Sequence, residues 1–310
     1  MWKLPDSTLA PFFAAYVILA GITPAYAQQS AIFSQYIFNL FAINPAYAGA
    51  RETLSANVGY RAQWLAVPGS PRTLNFNVHT PLLAHNMAIG LLVQADETGA
   101  RSAPKVAAAY AYSVQLSARE KLRFGVQGGV MNYQIHWNRL EYADPFEPVA
   151  SGAPPSRWMP TADAGIMYTA PRGYAGLSYY AVGNHTKARS VAFDERVENA
   201  LTFAAGRVWT LSEQVDLKPG TLVRYTTNGL WQADVSLSAL LLNRVWITGI
   251  YRSGFGAVSA VHTFVTDKLQ VGYSYDWAAG RTATFGQATH EVYLGIDLSR
   301  NAANAPTRYF

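Results

Sequence analysis

The sequence predicts an all-β protein: a transmembrane antiparallel β-barrel of about 14 strands with an irregular N-terminal segment. Three observations predict it. Apolar and polar residues alternate with period two through most of the chain. Short and long connections alternate between the alternating segments. Charged residues make up only 14% of the chain, against roughly 25% in soluble domains, while half of it is hydrophobic. Mean hydropathy is nevertheless close to zero. A barrel in lipid reconciles these values, because each strand is oily on one face and polar on the other.

The chain opens with a segment of a different kind. Residues 9–22 are apolar, Lys3 precedes them, and Ala25-Tyr26-Ala27 follows as a small-x-small cleavage pattern. This reads as an export signal over 1–27, leaving Gln28 as the new terminus. The apolar run is shorter than the roughly 20 residues of a spanning helix. Residues 28–52 do not alternate. Asn44-Pro45 breaks any helix and Gly49 permits a turn. They form a lead-in expected to pack in or beneath the barrel, which occupies 53–310.

Within the barrel the phase is explicit. Leu54, Ala56, Val58 and Tyr60 share one face, and Ser55, Asn57, Gly59 and Arg61 the other. Val292, Leu294, Ile296 and Leu298 likewise oppose Glu291, Tyr293, Gly295 and Asp297. Expected strands are 53–66, 71–80, 86–97, 103–117, 121–136, 158–170, 173–183, 197–210, 214–226, 230–242, 244–254, 256–267, 268–277 and 290–300. Connections after even strands are mostly short. Those at 137–157, 184–196 and 278–289 are long, the pattern of short periplasmic turns and long external loops.

The polar phase places Arg61, Asp216, Lys218, Arg224, Asp234, Asp276 and Glu291 inside a lumen. On the lipid face an Arg or Lys would cost roughly 2–4 kcal/mol at the midplane. Trp64, Tyr112, Trp209, Tyr225, Trp231, Trp246, Tyr275 and Trp277 lie near strand ends, where aromatic girdles form. Membrane lipid is thus the first expected partner, and the outer membrane the expected location.

Chemistry finds little support. There is no cysteine, so thiol catalysis, disulfides and Cys-based metal sites are excluded. His290-Glu291 lacks a second histidine four residues on, since that position is Leu294. The glycines at 125, 128 and 129, and at 254 and 256, precede no helix, so they read as strand features, not phosphate loops. Asn184-His185-Thr186 fits a glycosylation acceptor only formally. The net charge of +5 is scattered without a basic run, and nucleic acid is not an expected partner. Neither cofactor, metal nor catalytic residue is expected. A rim enzyme using His79 or His262 is a weak alternative, and a passive porin or solute transporter a stronger one.

Several local patterns remain. They are Gln35-Tyr36-Ile37-Phe38-Asn39, Asn44-Pro45-Ala46-Tyr47-Ala48-Gly49, and Tyr60-Arg61-Ala62-Gln63-Trp64. Gly69-Ser70-Pro71 with Thr73, Asp96-Glu97-Thr98-Gly99, and Trp246 through Tyr251-Arg252 follow. Gly272-Tyr273-Ser274-Tyr275-Asp276 and Thr289-His290-Glu291 complete the series. In this order they resemble the PorP/SprF family of outer-membrane barrels, linked to type IX secretion in Bacteroidetes-type bacteria. The resemblance implies a non-enzymatic role in secretion or surface anchoring of cargo, including gliding adhesins. It implies type IX components and cargo C-terminal domains as partners. Asn44, Pro45, Tyr47, Gly49, Arg61 and Trp64 are the candidate partner-binding residues. The tail from 300 to 310 matches nothing in the family pattern.

Overall fold

The computed structural model describes residues 33–65, 67–82, 86–140, 156–183, 199–227, 229–279, 288–298 and 309. The expected export signal, 1–27, and most of the three long connections lie outside the described residues.

Fourteen long strands form the wall. They are β1 (Leu54–Ala62), β2 (Arg72–Pro81), β3 (Met87–Thr98), β4 (Lys105–Ser117), β5 (Glu120–Ile135), β6 (Ser156–Ala170) and β7 (Gly173–Val182). They continue with β8 (Ala200–Arg207), β9 (Val215–Thr226), β10 (Trp231–Leu241), β11 (Val245–Arg252), β12 (Gly256–Phe264), β13 (Leu269–Ala278) and β14 (Thr289–Leu298). Two short strands add no stave: Arg101–Ser102 bridges β3 and β5, and Trp209–Ser212 extends β8 beside β9. Each strand pairs antiparallel with its sequence neighbour, and β1 closes on β14 in the register Leu54↔Leu298 to Ala62↔His290. Closure leaves no unpaired edge, which lipid would penalise because it offers no hydrogen-bond partner.

The predicted strands fall within a few residues of the observed ones. The largest departure is in β8, where the backbone breaks at Val208 before the strand resumes. Short turns sit at one end, at 118–119, 171–172, 213–214, 242–244 and 265–268. At the 242–244 turn Leu242 and Asn243 both have positive φ, 53° and 55°, the hairpin geometry that matches strand twist. The opposite end carries the connections 136–155, 183–199 and 279–288. By loop length the short-turn end is periplasmic and the long-connection end external.

The barrel is apolar outside and polar inside. Val126, Leu237, Ile247, Val292 and Leu294 are exposed on the outer wall, while Asn57, Asp234, Asp276 and Glu291 are buried in the lumen. One girdle assignment is corrected. Trp246 is fully buried and points inward, in phase with Thr248 and Arg252. The lumen offers it apolar surface, since Phe38 lies 6.3 Å away, centroid to centroid. Tyr112, Trp209, Tyr225 and Trp277 are outward and exposed, as the phase requires.

Phe38 belongs to the lead-in, which occupies the lumen. Three 3₁₀ turns, Ser34–Phe38, Leu40–Ala42 and Pro45–Tyr47, are almost wholly buried against the inner wall. The lead-in alternates in neither a strand nor a helix period because it meets walls on every side. Its short turns bend the chain to follow an enclosed space. Tyr309 also enters: Lys218 Nζ donates to its carbonyl oxygen at 2.6 Å, and its ring packs on both lead-in clusters.

Candidate functional site

The candidate site is the seam between lead-in and wall, and it begins at Ser34. Arg61, Arg252, Asp276 and Glu291 stand within a few residues of the long-connection ends of β1, β11, β13 and β14. Their shared inward phase and shared height make them meet. Arg61 bonds Asp276 at 2.7 Å and Glu291 at 3.2 Å. Arg252 bonds Asp234 at 2.9 Å and lies 3.7 Å from Asp276. Two guanidinium groups thus face three carboxylates, all buried.

The lead-in completes this set. Backbone N–H groups of Ser34 and Gln35 donate to the two oxygens of Glu291 at 2.7 and 3.0 Å. The Ser34 hydroxyl donates to Asp276 at 3.0 Å and accepts from Arg61 at 3.0 Å and Arg252 at 3.3 Å. The two N–H dipoles compensate the surplus carboxylate, which buried and unpaired would be costly. The first turn of the lead-in is therefore clamped at the external end.

Further along, Asn44 fixes the middle. Its Oδ1 accepts from Ala46 N–H at 2.9 Å and caps the turn that Pro45 begins. Its Nδ2 donates to the carbonyls of Ile166 and Leu177 at 3.2 and 3.3 Å, on β6 and β7. Gly125 and Gly165 are cross-strand partners, and a Cβ on either would collide with Asn44–Ala46. The bare wall here is a close-approach device.

The lead-in leaves at the periplasmic end. Gly49 N–H donates to His79 Nδ1 at 3.2 Å, with Phe41 and Tyr47 edge-on to the same ring. Gly49 has φ +69°, and a Cβ there would also strike Ala88. Arg51 pairs with Asp297 at 2.6 Å, and Ser55 donates to the same carboxylate at 2.6 Å. On the opposite wall His262 stacks on Phe38 at 4.0 Å, while Lys218 stands 4.6 Å from the Trp246 ring.

Of the predicted site residues, Asn44, Pro45, Tyr47, Gly49 and Arg61 are all buried in this seam. A partner could touch them only if the lead-in moved. Trp64 stands apart, half-buried in the β1–β2 connection with φ 52°. Sequence reasoning missed Ser34, Asn39, whose Oδ1 accepts from Asn77 Nδ2 on β2 at 3.1 Å, and the wall groups His79 and Asp297. The signal for the clamp was present: four charged residues of one phase, each near the external end of its strand. His79 and His262, the candidates for a rim enzyme, are packed under the lead-in; His185 lies outside the described residues. Among the described residues no group of three His, Asp or Glu could hold a metal.

A closed barrel with an oily exterior and a lumen filled by its own N-terminal segment is a plugged transmembrane β-barrel. A family model described as "Type IX secretion system membrane protein PorP/SprF" matches residues 25–296. The chain belongs to that family, and it is an outer-membrane protein of a type IX secretion system. Among curated proteins none matches it. Solved structures similar in shape include the CymD monoaromatic hydrocarbon channel (11% identity, 89% of this chain and 94% of that one, TM-score 0.45). Others are Omp33 of Acinetobacter baumannii (8%, 79% and 96%, 0.45) and the translocator domain of the autotransporter NalP from Neisseria meningitidis (10%, 79% and 86%, 0.42). Such distant likenesses say nothing of what this barrel does.

Proposed function

We propose that this barrel is a non-enzymatic docking station for type IX cargo, not a passive pore. External loops hold the cargo's C-terminal domain at the cell surface, and the periplasmic end meets other components of the secretion machine. The filled lumen carries the reading. Residues 34–51 run through it from the clamp at Arg61, Arg252, Asp276 and Glu291 to the Arg51–Asp297 pair, bonded to the wall at both ends and at Asn44 between them. A general porin needs a water-filled channel, whereas a dock needs a rigid frame under its loops.

Family membership supports the secretion context, and the candidate residues Asn44, Pro45, Tyr47, Gly49 and Arg61 act by holding the plug that stiffens the frame. Trp64, in an external connection, is the candidate for direct contact with cargo. The test is a deletion strain assayed for cargo on intact cells. Loss of surface-anchored cargo, restored by the wild-type gene, is expected. Unchanged anchoring without the protein overturns the proposal. Purified barrels in liposomes should also resist swelling in small sugars; free swelling would restore the porin reading.

A further inference from the structure

The lead-in fills the external half of the lumen unevenly. Ser34–Phe38 lies against β11–β14 and β1 through its clamp. Beside it, against β3–β9, a cavity of about 150 Å³ remains above the plug. Its floor includes Phe33, Phe41, Asn44 and Pro45. Its walls come from the external halves of the strands, with Gln94, Gln127 and Thr202 among the polar groups. Lys105 bonds Asp163 at 3.0 Å and lies 4.4 Å from the Tyr180 ring, and Arg101 bonds Asp96 at 3.3 Å.

This lining suits a particular guest. An extended peptide presents N–H and C=O groups in alternation, with side chains between them. Gln94 and Gln127 each carry donors and an acceptor. Arg101 carries more N–H groups than its bond to Asp96 uses, and its partly exposed guanidinium is a donor for an incoming carbonyl. Phe33, Phe41 and Leu92 supply apolar contact.

We propose that this cavity is a socket, open to the cell surface, for a short extended segment of the secreted cargo. The inference rests on the docking function proposed above. It gives the plug a second role: a seated segment lies directly on Phe33, Asn44 and Pro45, so the lead-in is the floor of the binding site as well as a seal.

The chain has no cysteine, so single thiols can be read cleanly. Thr202→Cys places one in the cavity wall, and Glu52→Cys places one on an exposed residue at the periplasmic end. Intact cells are treated with a membrane-impermeant maleimide, with and without cargo expression; barrel folding is checked by heat-modifiability. The expected result is labelling of Thr202→Cys without cargo, loss of that labelling with cargo, and no labelling of Glu52→Cys in either case. Should Thr202→Cys stay silent in cargo-free cells but react after lysis, the socket is not open outward and the inference fails. Labelling indifferent to cargo, in a strain whose anchoring depends on the barrel, removes the socket and leaves the docking function standing. Protection without cargo that disappears when surface polysaccharide is stripped would assign the cavity to a saccharide and overturn the proposal. Anchoring independent of the barrel is the separate failure of the functional reading.

Discussion

At the scale of single residues, Asn44 and Glu291 separate packing from polar satisfaction. Asn44 makes one capping bond and two bonds to wall carbonyls, all inside the lumen. Asn44→Ala should lower stability by about 1–3 kcal/mol, the cost of leaving buried groups unmade. Asn44→Asp should be worse, although it keeps the cap, because a carboxylate would face the carbonyls of Ile166 and Leu177. Unfolding of the purified barrels in detergent, followed by heat-modifiability on gels, gives the order. An Asp variant as stable as wild type would mean that those two contacts carry nothing. Glu291 holds Arg61 and two lead-in N–H groups. Glu291→Gln removes the ion pair and turns an amide NH₂ toward one of those donors, so a loss approaching the roughly 3–5 kcal/mol of a broken buried pair is expected by the same assay. Both residues were visible in the sequence, Asn44 in a break motif and Glu291 by its inward phase. Their partners were not, because Ile166 and Ser34 are contacts of tertiary origin, 122 and 257 positions away.

At the scale of elements, the lead-in and the wall are matched surfaces. Gly125 and Gly165 admit Asn44–Ala46 only because they lack a Cβ. Gly165→Val should therefore displace the plug while leaving the strand ladder intact, since valine suits a strand. Deleting residues 34–48 should do so completely. Planar-bilayer recordings are expected to show little conductance for wild type, a stable open channel for the deletion, and intermediate behaviour for Gly165→Val. Equal conductance of wild type and deletion would show that the lead-in does not seal the lumen. The strands were legible because period-two alternation is a local signal that burial merely reads out. Trp246 was not, since position near a strand end suggested a girdle while its phase pointed inward, toward Phe38 and Lys218.

For the whole molecule, orientation in lipid sets the cost of change. Leu294 stands midway along β14 and Leu298 at its periplasmic end, both outward and exposed. Leu294→Arg should cost roughly 2–4 kcal/mol and Leu298→Arg only about 0–1, because the penalty falls with distance from the midplane. Refolding into phospholipid vesicles at graded denaturant compares them. Equal penalties would mean that the barrel is not placed in the bilayer as its outer face indicates.

By itself the sequence determined the number of strands, their positions to within a few residues, and the alternation of lipid-facing and inward faces. Those properties follow from a two-residue period, which each segment displays independently of the others. Only the tertiary structure decided that the lead-in threads the lumen from the external end. It alone brought Arg61, Arg252, Asp276 and Glu291 around Ser34. Closing the sheet sets strands from both ends of the chain side by side, and no local pattern records which inward charges that closure will join.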